Sequence, residues 1–245
     1  MKSKVILPII LYILVTAIFT IVLAVIQQKG GLSFEKISLP QLAPAIAVLI
    51  LFLIYKDLPA RINLSFDKLV LSKSLIAFIL PIMLFAISYF IGKQIGLSVK
   101  ITENISRLIP VMILGMFIGA VGEEIGWRSF LQPILEKKNS VLLASIIVGI
   151  IWGLWHIGQY KNGLLFMAGF LLFTISASII IAWLLKDTEY NLIVSAIFHL
   201  SINVGFLLFF NTSLADSKCM LINGFVWLIP AIGIVLLSGK DMIRI

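Results

Sequence analysis

Residues 108–135 read LIPVMILGMFIGAVGEEIGWRSFLQPIL, an apolar run interrupted near its middle by Glu123, Glu124 and Arg128. The hydrocarbon core of a bilayer is about 30 Å thick, and a helix rising about 1.5 Å per residue needs roughly 20 mostly apolar residues to cross it. This stretch is long enough, and its charges set it apart from an ordinary span. The same length test, applied outward along the chain, finds eight runs: 5–26, 39–55, 74–92, 108–135, 140–160, 163–185, 190–211 and 220–238. Nearly all the remaining charge sits between them, in segments such as QQKGGLSFEK, YKDLPARINLSFDK and LKDTEY. The expected fold is all-α, a polytopic transmembrane bundle of about eight spanning helices forming a single integral-membrane domain, 1–245.

Composition leads to the same class. Of the 245 residues 61% are hydrophobic and 12% charged, whereas an ordinary soluble domain carries about 25% charged residues. A soluble enzyme is excluded, as is a disordered chain, which needs low hydrophobicity and high net charge. A disulfide scaffold is excluded because Cys219 is the single cysteine. The net charge of +8 does not indicate nucleic acid, since the 19 Lys and Arg are scattered over short connections and form no stripe. The lipid bilayer, with its anionic headgroups, is the partner that explains them.

The first run follows Lys2 and Lys4 as a signal peptide would, but it is too long for an h-region and no A-x-A site follows, so it reads as a retained helix. Eight spans place both termini on one side. Segments on that side hold 12 Lys and Arg and the opposite connections 7, so the positive-inside rule puts the termini in the cytoplasm.

Each charge at the centre of a span costs about 2.5–3.5 kcal/mol, so three left unpaired would cost on the order of 8–10 kcal/mol. Glu124 and Arg128 are four residues apart and share a helix face, which makes an ion pair available. Glu123 lies about 100° around the helix and is left without that partner. The two histidines, His156 and His199, both fall inside apolar runs, and Asn203 follows His199 by one turn on the same face. Depth arithmetic puts Glu123 and His199 within a few Å of their helix midpoints and His156 about 9 Å off its own, a difference that tilt absorbs. Taken singly, Glu124 with Arg128 would lock a bundle, and a lone His or Asn would be interhelical glue worth about 0.6 kcal/mol. Taken together, the buried set points to a site. Trp127, Trp152 and Trp155 read as packing or belt residues and Cys219 as an incidental thiol. Ser129 and Ser201 stand near these residues, but neither a G-x-S-x-G elbow nor a Ser–Lys pattern supports a serine hydrolase.

The set permits hydrolysis. A buried carboxylate can act as general base toward water, a histidine can share or relay the proton, and a neutral His with an Asn NH2 can donate to a developing oxyanion. Glu123, His156 and His199 could instead ligate zinc, with water in the open position. The local H-E-x-x-H spacing is absent, so such a site would be assembled from separate helices.

GEEIGWRSFLQP (122–133), WGLWH (152–156) and FHLSIN (198–203), in this order on consecutive helices, closely resemble the three motifs of the CAAX-protease and bacteriocin-processing family of intramembrane endopeptidases. That pattern is E-E-x-x-x-R, then an aromatic or apolar residue three or four positions before a His, then H-x-x-x-N. The resemblance covers about 108–211, the motif-bearing catalytic core, while the first three runs match only in being hydrophobic. It implies that Glu123 is the catalytic glutamate activating water, with His156 assisting. It further implies that His199 and Asn203 stabilise the oxyanion, and that Glu124 and Arg128 orient the site. The family has been described both as metalloproteases and as metal-independent glutamate proteases; Asn203 suits an oxyanion donor better than a zinc ligand, so no obligatory metal is expected. The substrate class is a membrane-anchored protein or peptide, in CAAX-type processing or in bacteriocin processing and self-immunity, and the wording G-E-E-I-G-W-R resembles bacterial members, which implies a bacterial plasma membrane. Two other classes compete. A proton-coupled transporter would use Glu123, His156 and His199 as a relay, and a non-catalytic scaffold or immunity protein would keep the motifs for stability.

Overall fold

Long apolar runs fold as helices in lipid because every backbone N–H and C=O must find its partner within the segment. All eight runs appear as helices in the computed structural model, which describes residues 3–34, 36–55, 58, 61–101, 109–213, 215–238 and 240–243. They are α1 (Ser3–Lys29), α2 (Ala43–Ile54), preceded by a 3-10 turn at Leu39–Leu42, and α3 (Lys68–Gln94). The charged run is α4 (Ile109–Gly126), continued through a π turn at Trp127–Leu131 into α5 (Gln132–Glu136). The rest are α6 (Val141–Trp155), α7 (Leu164–Leu185), α8 (Leu192–Phe210) and α9 (Ser217–Ser238), with a short α10 (Lys240–Ile243). Among the described residues six apolar helices, counting α4 and α5 as one rod, are long enough to cross a membrane; α2 with its 3-10 turn and α6 are shorter. The protein is therefore an all-α polytopic helix bundle and an integral membrane protein.

The connections carry the start signals. Asp67, Ser140 and Asn191 each cap the helix that follows, accepting from Val70 N, from Leu143 N, and from both Ile193 N and Val194 N. Pro8, Pro81 and Pro230 lie inside α1, α3 and α9 without ending them, as membrane helices tolerate. Helix α7 packs most extensively on α9 and α6, α3 on α8, and α4 on α8 and α2, with α1 covering α2 and the 3-10 turn. Phe85, Phe173, Phe206 and Trp227 form one aromatic knot joining α3, α7, α8 and α9, with Phe85 to Phe206 at 4.5 Å and Phe173 to Trp227 at 4.9 Å between centroids. Ile6, Ile10, Leu14, Ile18 and Ile21 of α1 are exposed, an outward face suited to hydrocarbon.

Two expected boundaries are wrong, the first being the start of α3, which lies at Lys68 and not at 74. The run at 140–160 ends as a helix at Trp155, and His156 is its C-cap with φ −73° and ψ 62°, leading into a 3-10 turn at Ile157–Asn162. His156 is therefore at the end of a helix and not inside one. Gly158 and the polar Gln159, Lys161 and Asn162 break the pattern that the apolar Leu154 and Ile157 on either side of Trp155 and His156 had continued.

Helix α4 carries glycines at 115, 119, 122 and 126, and the chain from Lys36 to Pro44 lies directly against them. A Cβ at Gly115 would overlap the Lys36 carbonyl oxygen, and one at Gly122 would lie 2.8 Å from the Gln41 carbonyl oxygen. Both obstacles are backbone and cannot swing aside. Gly115→Ala is thus expected to cost about 1–3 kcal/mol, as overpacking does, read as a lower unfolding temperature of the protein in detergent.

Candidate active site

Glu123 sits at the middle of the rod Pro110–Glu136, fully buried. It is not unpaired. Its Oε2 accepts from Trp152 Nε1 at 2.8 Å and from Trp127 Nε1, one turn on, at 3.3 Å, while Oε1 accepts from Gln41 Nε2 at 2.8 Å. Trp127 and Trp152 are thus polar donors to the site and not only packing residues. Gln41 went unrecognised in the sequence, where nothing in a short segment beside Pro40 marks it.

Glu124, also buried, faces the other way. Its Oε1 is 2.8 Å from His199 Nδ1 and its Oε2 3.4 Å from Arg128 Nε. The ion pair expected from the i, i+4 spacing is present, and the helix offset of about 100° between neighbours sends the two carboxylates to different partners. Arg128 makes no hydrogen bond through Nε or Nη1; its guanidinium carbon lies 5.5 Å from the centre of the Trp152 ring, a cation–π contact. Trp152 is therefore the centre of the arrangement. Its N–H holds Glu123, its ring faces Arg128, and its centroid stands 5.3 Å from His199 and 6.0 Å from His156.

A carboxylate accepts, so His199 donates through Nδ1 to Glu124 and turns Nε2 toward Glu123, 3.9 Å from its Oε1. His156 Nδ1 is 2.7 Å from the Trp152 carbonyl oxygen, which can only accept. The His156 Nε2 is thereby left as the nitrogen able to take a proton. Its ring is half-buried, edge-on to Trp155 at 5.0 Å and Phe170 at 5.1 Å. Asn203 lies one turn beyond His199 on α8, half-buried. The structure thus ties Glu123, Glu124, Arg128 and His199 into one network, with His156 across the Trp152 ring and Asn203 along the same helix face.

For a metal the fit is poor. Among the described residues no three His, Cys, Asp or Glu side chains gather to hold an ion. Three N–H groups, moreover, turn their positive ends toward the oxygens of Glu123, where a cation would have to bind.

The sequence model of the family described as type II CAAX prenyl endopeptidase Rce1-like matches residues 105–205, the segment that contains both carboxylates, both histidines and Asn203. Over that segment the chain is similar to the Rce1-like CAAX-protease family. Its similarity also runs well beyond that segment. Lysostaphin resistance protein A of Staphylococcus haemolyticus (strain JCSC1435) is 29% identical over 238 residues, covering 95% of this chain and 65% of that protein. Lysostaphin resistance protein A of Staphylococcus aureus (strain bovine RF122 / ET3-1) is 28% identical over 241 residues, covering 93% of this chain and 56% of that one. The chain thus spans less than two thirds of the length of the curated relatives it matches, and Gln41 lies outside the family match and inside the longer similarity.

Proposed function

We propose that this chain is an intramembrane endopeptidase that hydrolyses peptide bonds of membrane-associated proteins or peptides with water activated by Glu123. The observation that carries the reading is the buried Glu123 carboxylate, held by three N–H donors and facing His199 Nε2 across 3.9 Å. Water at Oε1 gives its proton to Glu123 as its oxygen attacks the peptide carbonyl carbon, whose electrons move onto the carbonyl oxygen. Asn203 Nδ2–H and His199 Nε2–H hold that oxyanion. His199 donates there as the imidazolium, which Glu124 at 2.8 Å stabilises. When the oxyanion collapses, the C–N bond breaks and the leaving nitrogen takes the proton back from Glu123. His156, with Nε2 able to accept, assists the proton transfer from across the Trp152 ring. Arg128 braces Glu124, and no step passes through a metal.

The substrate class is a membrane-anchored protein or peptide, handled as in CAAX-type processing or in bacteriocin processing and self-immunity, at a plasma membrane with the termini in the cytoplasm. The test is cleavage of a membrane-peptide library by the purified protein in bilayers, with and without a chelator. Cleavage that persists in chelator is expected. A folded protein that cuts nothing overturns the reading, and cleavage abolished by chelator and restored by zinc overturns the metal-free route.

A further inference from the structure

We infer that Gln41 is a positioning residue for the Glu123-dependent reaction, delivered by the Leu39–Leu42 turn and held in place by Gln27 of α1; the inference rests on the protease reading above. An ionised carboxylate has about four lone-pair sites and accepts only. On Glu123 two are taken at Oε2 by the indoles of Trp127 and Trp152, and one at Oε1 by Gln41. The site left open is on Oε1, the oxygen that faces His199 Nε2 at 3.9 Å. Gln41 therefore decides which lone pair meets the water. Without it Oε1 would offer two directions in place of one, and the two indoles on Oε2 would hold the carboxylate from one side only.

The chain invests in bringing Gln41 there. Gln27 is fully buried on α1; its Nε2 donates to the Ile37 carbonyl at 2.6 Å and its Oε1 accepts from Leu39 N at 2.8 Å. Those two bonds fix both the approach to the 3-10 turn and its first residue, and the Gln41 amide N–H then closes on the Ser38 carbonyl at 3.1 Å. The far wall is Gly119, where a Cβ would overlap the Gln41 carboxamide. A physical path thus runs from α1 through the turn to the carboxylate, which is 82 residues from Gln41 in sequence, and among the described residues of the 105–205 family segment nothing supplies the same donor.

A residue that merely satisfies a buried acceptor would affect stability and leave turnover alone. A positioning residue acts on kcat with KM little changed, because the ordering of Oε1 matters when the proton moves and not when substrate binds. The experiment is steady-state cleavage of the best library peptide by the full chain in bilayers, comparing wild type, Gln41→Met, Gln41→Asn, Gln27→Met and the Gln27→Met/Gln41→Met pair, with folding checked by thermal unfolding. Methionine keeps the length of Gln41 without a donor, and asparagine keeps the carboxamide one carbon short. Hydrogen bonds to charged groups imply a fall in kcat of about 10- to 100-fold for Gln41→Met, with KM within about twofold. Gln41→Asn is expected to fall likewise, and it serves if Gln41→Met does not fold. Gln27→Met touches neither carboxylate nor substrate and lowers kcat in the same direction, and the pair is no worse than Gln41→Met alone, since both act through one contact. A folded Gln41→Met with wild-type kcat, or a change confined to KM, overturns the inference while the protease reading stands. A folded wild type that cuts nothing overturns that reading and the role of Gln41 with it.

Discussion

Glu123→Gln is expected to lower the cleavage rate by about 10²- to 10⁴-fold, the range general-base catalysis supplies, while the protein remains folded. The fold survives because the network can be re-satisfied. The new carboxamide keeps one oxygen, which stays on the indole N–H groups of Trp152 and Trp127, and its NH2 takes the place of Oε1. Gln41, now 2.8 Å from a donor where an acceptor stood, turns its own amide over and presents its oxygen. Activity does not survive, because an amide cannot take a proton from water. Cleavage of the same peptide by both proteins, beside their unfolding curves, checks the pair of statements. A variant that cuts within a few-fold of wild type would remove Glu123 from the reaction.

The second large effect separates stability from catalysis at Glu124. Glu124→Leu leaves Arg128, 1% exposed, without its ion-pair partner, and breaking one partner out of a buried ion pair costs about 3–5 kcal/mol. It also releases His199 Nδ1, so the imidazole loses both its orientation and the group that stabilises its charged form. The single variant is expected to be strongly destabilised and inactive. In the pair Glu124→Leu/Arg128→Met the stranded charge is gone, and two apolar side chains fill the space between α4 and α8. Most of the stability returns and none of the activity does. Thermal unfolding and cleavage measured on wild type, single and pair decide it; a pair that stays as unstable as the single variant would mean that Glu124 stabilises mainly through His199.

The membrane fold and the Glu124–Arg128 pair were legible in the sequence because charge in an apolar run is costly and therefore conspicuous, and because four-residue spacing fixes a shared face. The partners of Glu123 were not legible. An indole is counted as apolar although it carries a donor, so Trp127 and Trp152 looked like packing. Gln41 is a lone polar residue with no periodicity, and its relation to Glu123 exists only once the chain has folded. A signal was available in the glycines at 115, 119, 122 and 126, whose spacing clears one face of α4 for close approach of another backbone. The end of α6 was missed because Leu154-Trp155-His156-Ile157 remains apolar enough to read as helix, and the break lies in the backbone angles of His156.

That early end has a consequence for the lipid. At about 1.5 Å per residue, a helix confined to Val141–Trp155 reaches only about three quarters of the way across a hydrocarbon slab of about 30 Å. An apolar length that short is accommodated by thinning of the bilayer, by snorkelling of flanking residues or by packing against other helices. His156, half-buried, stands at the end of that short helix, the side on which the mismatch has to be absorbed. The unfolding temperature of the protein in vesicles of graded acyl-chain length reads how far the length of α6 ties its stability to the thickness of the bilayer.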